Sequence, residues 1–349
     1  MVLERENVFY FADINSIGGV ESFFYYLSKL FKNFTVVYGK ADSMQVDRLS
    51  KNVEVRKWHG EEIKCKRFFG NYNCEPIIPY LDAEEKYFII HCDYKKTKHA
   101  KPLIYPGFKN IGVSKLACRS FTELTGLQTE LIYNPVEIDV PKVEKKKGLH
   151  LISATRLGGG EKGGWRMDKL SEILDKAGID YTWEVYTNKK PHFSSPNIII
   201  KEPKLDLTKE IAESTYLVQL SDHESFGLSV AESLKLGTPV IITDIEAFHE
   251  IGCNESNSIM LDLGMMNVDV ERIKKGIPPF KYKPPKSNWG KYLDNNSDYN
   301  CNDLVEVRVL ERKFWDLKSD KHYKRDDVFK TTKTRAAYLE AKEIVEWLS

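Results

Sequence analysis

Two glutamates eight positions apart form the spacing in this sequence that most suggests chemistry. Glu224 stands in a loop after an apolar strand, and Glu232 lies inside the helix that follows. That helix opens with Phe226, Gly227, Leu228 and Ser229. Free N–H groups and the positive dipole end at a helix start suit an anionic diphosphate, and a glycine there lets the backbone approach it closely. Because carboxylates accept pairs of sugar hydroxyls, the two glutamates could contact two parts of one ligand.

Two cations and a pair of glycines could bind the same diphosphate. Arg156 ends a predicted strand, and Lys162 follows it across a glycine-rich loop. Fixed cations beside a diphosphate neutralise a leaving group without a metal. Gly18 and Gly19 open the first predicted helix, where the backbone can also approach a phosphate. The alternative for Arg156 and Lys162 is a flexible surface loop with incidental charges.

His91 is the candidate for contact with the reacting groups. It closes a predicted strand at its carboxyl end, where ligands collect in open α/β sheets. A neutral imidazole there could hydrogen-bond a sugar or move a proton. The alternative is a histidine that merely has its hydrogen bonds satisfied at a strand end. His99 is a weaker candidate, and His223 is interpreted as a loop residue.

The predicted elements place these motifs at the ends of strands. A strand, a glycine turn and an amphipathic helix fill residues 7–31, and a second strand follows at residues 34–38. The same order restarts at residues 149–154 and reaches another strand at residues 181–186. Strands that alternate with helices form parallel sheets. We therefore expect an α/β protein with two Rossmann-like domains that face a cleft.

The domain boundaries follow from shifts in composition. The first domain is expected at residues 1–141 and the second at residues 148–293, joined by a run of charges that is interpreted as a linker. Residues 301–349 are expected to form a small appended β-β-α module whose helix runs over residues 333–348. We expect a chain that ends near Asp294 to fold without this module.

Composition narrows the class of protein. The chain has 349 residues with 52 Lys+Arg against 51 Asp+Glu, a balance that argues against a dedicated nucleic-acid binder. Its 42% hydrophobic content excludes general disorder. No apolar run approaches the ~20 residues that span a bilayer, and no signal peptide is expected. Six cysteines without a CxxC pair predict free thiols, no zinc knuckle and a cytoplasmic location.

The segment around the two glutamates resembles the Glu-x7-Glu signature of retaining GT-B glycosyltransferases of family four. The likeness extends to the flanking SFGLSVAES and GTPVI. It implies that Glu224 contacts the donor sugar and that Glu232 holds the ribose of the nucleotide. The same resemblance implies that Arg156 and Lys162 bind the diphosphate of the donor. The loop of Gly18 and Gly19 closes over the donor, and His91 lies near the sugar and the attacking hydroxyl.

The resemblance implies a retaining, hexosyltransferase-type glycosyltransferase. It would move a sugar from a nucleotide-diphosphate sugar, with UDP as the expected nucleotide, to a hydroxyl of a protein or glycan acceptor. No metal and no cofactor beyond this co-substrate are expected. Two alternatives stay open. One is a non-catalytic glycan- or nucleotide-binding protein on the same frame, for example a virion component, and the other is a nucleotide-sugar epimerase.

Two further segments carry weaker expectations. The stretch from Arg272 to Lys291 holds six lysines and no acidic residue. It is either a solvated loop or a contact for an anionic acceptor or a membrane surface. The C-terminal module resembles small phage-associated modules, which implies a phage or prophage origin.

Overall fold

A computed structural model of the chain describes residues 2–97, 100–158, 160–296, 298–316 and 321–348. These residues form two parallel β-sheets with helices packed on them, on either side of a cleft, and a small antiparallel sheet near the C-terminus. The predicted α/β class with two Rossmann-like sheets is confirmed. The candidate His99 lies outside the described residues.

The first sheet has seven parallel strands in the order β3-β2-β1-β4-β5-β6-β7. Its strands are β1 (Val2–Ile14), β2 (Thr35–Ala41), β3 (Glu54–Lys57), β4 (Glu62–Asn71), β5 (Leu81–Ile90), β6 (Lys109–Gly112) and β7 (Thr129–Leu131). Its helices are α1 (Gly19–Leu30), α2 (Ser43–Ser50), α3 (Lys115–Thr125) and the short 3-10 helix Ile78–Tyr80. Strands covered on both faces read as continuous apolar runs, which explains the buried FYF segment of β1.

The second sheet has six parallel strands in the order β10-β9-β8-β11-β12-β13. Its strands are β8 (Leu149–Ala154), β9 (Tyr181–Tyr186), β10 (Ile198–Lys201), β11 (Tyr216–Gln219), β12 (Val240–Thr243) and β13 (Ser258–Leu261). Its helices are α4 (Gly164–Lys176), α5 (Thr208–Glu213), α6 (Leu228–Lys235), α7 (Glu246–Glu250) and α8 (Val270–Lys275). Separate apolar clusters cover the two faces of this sheet.

The chain crosses between the two sheets twice, and both crossings are anchored. In the predicted linker, Lys145 Nζ donates hydrogen bonds to Ser214 O and Thr238 Oγ1, both at 2.7 Å. The chain then returns to the first sheet at a short 3-10 helix, Trp289–Lys291. Trp289 is fully buried there among the aromatic rings of the first core. The two sheets are therefore connected by packed segments.

The C-terminal part contains the expected small sheet and helix but differs from the prediction in detail. Its elements are β14 (Leu304–Val309), β15 (Lys313–Asp316), β16 (Lys321–Lys324), β17 (Val328–Thr332), α9 (Lys333–Ala341) and β18 (Val345–Trp347). The predicted helix over residues 333–348 is wrong at its end. Glu343 has a positive φ of 60°, which reverses the chain, and β18 then pairs antiparallel with β14. This pairing buries Val345 beside Val307 and Val309.

Helix α9 also packs on the first sheet's helices and is no separate appendage. It contacts α2 and β3, and Ala337 belongs to the first apolar core. Glu340 accepts a hydrogen bond from the backbone N–H of Lys57 at 3.3 Å. The C-terminal segment therefore completes the surface of the first half, in contrast to the expected independent module.

The segment from Arg272 to Lys291 contains the C-terminal part of α8 and an extended chain that leads to Trp289. Its lysine side chains are exposed. Across the described ranges no helix combines the length and the apolar character that a membrane crossing requires.

Candidate functional site

The predicted site residues line one cleft between the two sheets. The cleft has a volume of about 1260 Å³ and lies at the carboxyl ends of strands from both sheets. Its lining includes Gly18, Gly19, His91, Arg156, Lys162, Glu224, Phe226, Gly227, Leu228, Ser229 and Glu232. The tertiary structure therefore brings together residues that are more than two hundred positions apart.

Two glycines set the turns that lead into the helices of the second sheet. Gly163 precedes α4 with a φ of 67°, and Gly227 precedes α6 with a φ of 87°. A Cβ on Gly163 would lie 1.8 Å from Leu220 O, and one on Gly227 would lie 2.8 Å from Cε1 of Phe248. Side chains are excluded at both positions by strain and by contact. These turns place the helix starts against the cleft.

Glu224 is held by three donors from its own half of the molecule. Lys162 Nζ donates to Glu224 Oε1 at 2.6 Å, Ser221 Oγ at 2.8 Å and Gln219 Nε2 at 3.2 Å. The loop that leads to Glu224 is held by Arg166, which forms an ion pair with Asp222 at 2.6 Å. One carboxylate oxygen of Glu224 is thus engaged, and the carboxylate is held at a defined position in the cleft.

Arg156 lies against the glycine turn of the opposite wall. A Cβ built on Gly18 would lie 3.6 Å from the guanidinium carbon of Arg156, and one on Gly19 would lie 3.7 Å from Cδ1 of Leu228. The turn therefore lies next to Arg156 and next to Leu228 at the start of α6. Arg156 is exposed to the cleft and has no ion pair within the part of the chain that the structure describes. Its charge is available to an anion, whereas the charge of Lys162 is shared with Glu224.

Glu232 is connected to the opposite half of the molecule by a hydrogen bond. Tyr26 of α1 donates its hydroxyl to Glu232 Oε1 at 2.6 Å. Tyr26 is buried among apolar residues of the second sheet. Burial raises the pKa of Glu232 above the usual range of a glutamate, although the hydrogen bond from Tyr26 lowers it. A ligand in the cleft would therefore meet a carboxylate with one oxygen already bonded.

His91 directly follows β5, in apolar surroundings. The ring of Phe23 meets it edge-on with centroids 5.1 Å apart, and the ring of Tyr72 lies 6.1 Å away. Its Nε2 lies 2.6 Å from Asn71 Oδ1. Burial lowers the pKa of His91 to about 3, so the imidazole is neutral at physiological pH.

Contacts across the cleft hold the two walls together. The backbone N–H of Asp93 donates to Ser225 Oγ at 2.7 Å, next to Glu224. Arg119 forms a two-pronged ion pair with Glu246 at 2.9 and 2.7 Å. A bidentate pair of this kind fixes direction as well as distance.

Sequence reasoning missed four supporting residues of the site. These are Tyr26, Asn71, Gln219 and Ser221. Ser221 and Gln219 lie within five positions of Glu224 and could have been found by local inspection. Tyr26 and Asn71 contact partners 206 and 20 positions away, and no local pattern marks them. No group of three His, Cys, Asp or Glu side chains suited to a metal ion occurs among the described residues.

Comparison with known proteins adds a family match for part of the chain. Residues 197–277 match the family model described as Glycosyl transferases group 1, and this segment contains Glu224 and Glu232. The chain is a transferase, and this segment is similar to a glycosyltransferase family. No curated protein matches the sequence.

Several solved structures share the fold at low sequence identity. HepE from Anabaena, solved with UDP and glucose, is 12% identical with a TM-score of 0.57, and the match covers 74% of this chain and 86% of that one. A glycosyltransferase from Rickettsia africae is 12% identical with a TM-score of 0.56, covering 74% and 84%. Sucrose-phosphate synthase from Thermosynechococcus elongatus is 12% identical with a TM-score of 0.52, covering 78% and 88%. At this identity the likeness establishes the GT-B fold of the transferase.

Proposed function

We propose that this transferase is a retaining glycosyltransferase that moves a sugar from a nucleotide-diphosphate sugar, UDP-linked in the first instance, to a hydroxyl of a glycan or protein. One observation carries the proposal. Arg156, the start of α6 and the Gly18–Gly19 turn converge in one cleft, beside a Glu224 that Lys162 holds in place. A cation and the backbone N–H groups at two helix starts suit a diphosphate, and a fixed carboxylate suits sugar hydroxyls.

The UDP assignment draws on a protein of the same fold. HepE is solved with UDP and glucose and shares the two-sheet arrangement. In the present chain Tyr186, Asn188 and Lys204 also line the cleft, and we assign them to the nucleotide base. We assign Glu232, which also lines the cleft, to the ribose hydroxyls.

The reaction would proceed on one face of the sugar. The bond from the anomeric carbon to the diphosphate oxygen breaks, and a bond from the acceptor oxygen to that carbon forms on the same face. The acceptor proton passes to the departing phosphate oxygen. Arg156 and Lys162 stabilise the negative charge that develops on the diphosphate, so the scheme needs no metal. Glu224 positions the sugar and is not assigned as a nucleophile.

The test is a panel of nucleotide sugars followed by measurement of nucleotide release. We expect one sugar nucleotide to be hydrolysed slowly without an acceptor and transferred with retention when an acceptor is added, as read from the anomeric proton by NMR. Arg156→Met should reduce turnover about a hundredfold, because a charged contact to the leaving group is lost. Arg325→Met, an exposed arginine of the C-terminal part, is the matched control. Tight nucleotide binding without any cleavage would favour the non-catalytic binding protein instead.

Independence from metal has its own test. Excess chelator should leave turnover within about twofold, because fixed cations replace the metal. Activity that disappears with chelator and returns with Mg²⁺ or Mn²⁺ would contradict the roles of Arg156 and Lys162. Contact of the exposed lysines between Arg272 and Lys291 with an anionic acceptor or a membrane surface, the cytoplasmic location and the phage origin stay predictions from the sequence.

A further inference from the structure

The ends of two neighbouring strands meet beside the cleft at Asn71 and His91. Strands β4 and β5 run parallel with Asn71 opposite Ile89, two positions before His91. This register brings the Asn71 side chain to the imidazole, with Oδ1 and Nε2 2.6 Å apart. Asn71 is completely buried, whereas His91 is half-buried and lines the cleft.

A second hydrogen bond sets the direction of the Asn71 amide. Its Nδ2 donates to the backbone carbonyl of Tyr10 in β1 at 3.2 Å. A rotated amide would place its oxygen against that carbonyl oxygen, with no proton between two acceptors. Asn71 Oδ1 therefore faces the ring, and the hydrogen bond at 2.6 Å requires the proton to be on Nε2 of His91.

The other ring nitrogen is then an acceptor. The neutral imidazole carries one proton, which Asn71 keeps on Nε2. No hydrogen bond to Nδ1 is made by any residue that the structure describes. The neighbouring rings of Phe23 and Tyr72 offer no competing charge. Nδ1 is the nitrogen of His91 that remains for a ligand in the cleft.

We infer that Asn71 is a positioning residue that fixes the tautomer of His91, so that His91 presents a bare Nδ1 and accepts a hydrogen bond from a sugar hydroxyl. The choice of a sugar hydroxyl rests on the proposed function, whereas the tautomer does not. Sequence alone left two roles open to His91, a hydrogen bond to a sugar and movement of a proton. A ring whose only proton is held by Asn71 accepts a hydrogen bond from a hydroxyl and does not donate a proton from Nδ1.

The tautomer can be measured without any substrate. Long-range ¹H–¹⁵N correlation spectra of histidine-labelled protein distinguish the two neutral forms, and the signal that His91→Gln removes identifies His91. We expect the Nε2–H form in the wild type and a mixture of tautomers in Asn71→Leu. Asn7→Leu is the matched control, because Asn7 is also a buried amide in this sheet, bonded to Asn33 O and Arg67, and does not line the cleft. A wild-type signal from the Nδ1–H form or from the imidazolium would overturn the inference, even if the Leu variant failed to fold.

The effect on catalysis is tested with a variant of nearly the same shape. Asn71→Asp still accepts from Nε2, but its charge favours an imidazolium with a proton on Nδ1, which turns the acceptor into a donor. We expect kcat to fall about tenfold with KM for the sugar nucleotide within about threefold, and Asn7→Leu to keep the wild-type ratio. Equal kcat in Asn71→Asp and wild type would contradict the role in catalysis. If no sugar nucleotide is turned over by the wild type, the proposed function fails while the spectra still decide the tautomer.

Discussion

The two walls of the cleft differ in the types of residue that line them. The wall from the second sheet carries Arg156 after β8, Lys162 before the turn at Gly163, Glu224 before the turn at Gly227 and Glu232 inside α6. In the wall from the first sheet the part around His91 consists of aromatic rings and is called the neutral wall here, although the charged Asp13, Glu21, Lys29, Asp42 and Arg48 also line this side of the cleft. A wall of fixed charges suits a diphosphate, and a wall of rings and neutral acceptors suits a hydroxyl-bearing acceptor.

The walls also differ in how their residues are supported. The partners of Glu224 come from its own sheet and include two residues within five positions. His91 depends on Asn71 from the neighbouring strand, and Tyr26 reaches Glu232 in the other half of the molecule. Glu224 is supported in part by residues near it in the chain, whereas His91 and Glu232 depend on partners that strand register and packing bring to them. The following predictions test this difference, in order of decreasing effect.

The charged wall should be most sensitive at its turns. Gly163→Ala should destabilise the fold by about 4 kcal/mol, because the new Cβ overlaps Leu220 O in addition to the strain of positive φ. Gly178→Ala is the control at the other end of α4, with the same φ of 67° and nothing within 4 Å of the new Cβ. It should cost only about 1 kcal/mol. Denaturant unfolding of both variants measures the difference, and equal losses would mean that strain alone determines the cost.

The stability of the first half, which carries the neutral wall, should depend on the distant helix α9. A chain ending at Asp294 removes α9 from α2, and we expect a loss of about 3 kcal/mol or an insoluble product. This reverses the expectation from sequence that the shortened chain folds normally. Ala337→Glu should also lower the melting temperature, since Ala337 is buried in the first core, whereas Lys342→Glu on the exposed side should not. An unchanged melting temperature of the shortened chain would support the prediction that residues 301–349 form an independent module.

Glu232 joins the two walls and should contribute strongly to nucleotide binding. Glu232→Ala should weaken UDP binding about tenfold to a hundredfold, because two ribose hydroxyls lose a charged acceptor. Glu224→Gln should weaken it less, since Glu224 is assigned to the sugar. Calorimetric titration with UDP gives both affinities. Equal affinity for UDP in wild type and Glu232→Ala would contradict the assignment of Glu232 to the ribose hydroxyls.

The smallest expected effect is a pH dependence of donor binding. Burial raises the pKa of Glu232, so this carboxylate takes up a proton at a higher pH in the folded chain than in the unfolded chain. Its protonation favours folding below the raised pKa, and that contribution is lost as pH rises through it. We expect binding to use the ionised form, so affinity for UDP-glucose should fall as the pH is lowered from neutral through the raised pKa. The Glu232→Gln variant should bind UDP-glucose weakly, and its affinity should not change with pH in this way. UDP-glucose is the ligand in this experiment because the terminal phosphate of UDP itself titrates.

Much of the fold could be predicted because its signals are local. Alternating apolar strands and amphipathic helices require only neighbouring residues, so both Rossmann-like sheets were predicted. Strand β4 was missed because charged residues interrupt its first half, and the end of α9 was missed because Ile344 and Val345 continue the apolar spacing of a helix. In the folded chain β14 offers Val345 a strand partner, which no helical spacing can reveal.

The sequence by itself determined the parts of the site that depend on backbone chemistry. Gly163 and Gly227 permit turns that other residues cannot adopt, and the charged residues beside those turns follow from the local chain. Only the tertiary structure decided which partner each polar group has. The hydrogen bonds from Tyr26 to Glu232 and between His91 and Asn71 depend on packing and strand register. These are set by the whole core, because a buried polar group must find its partner wherever the fold brings one.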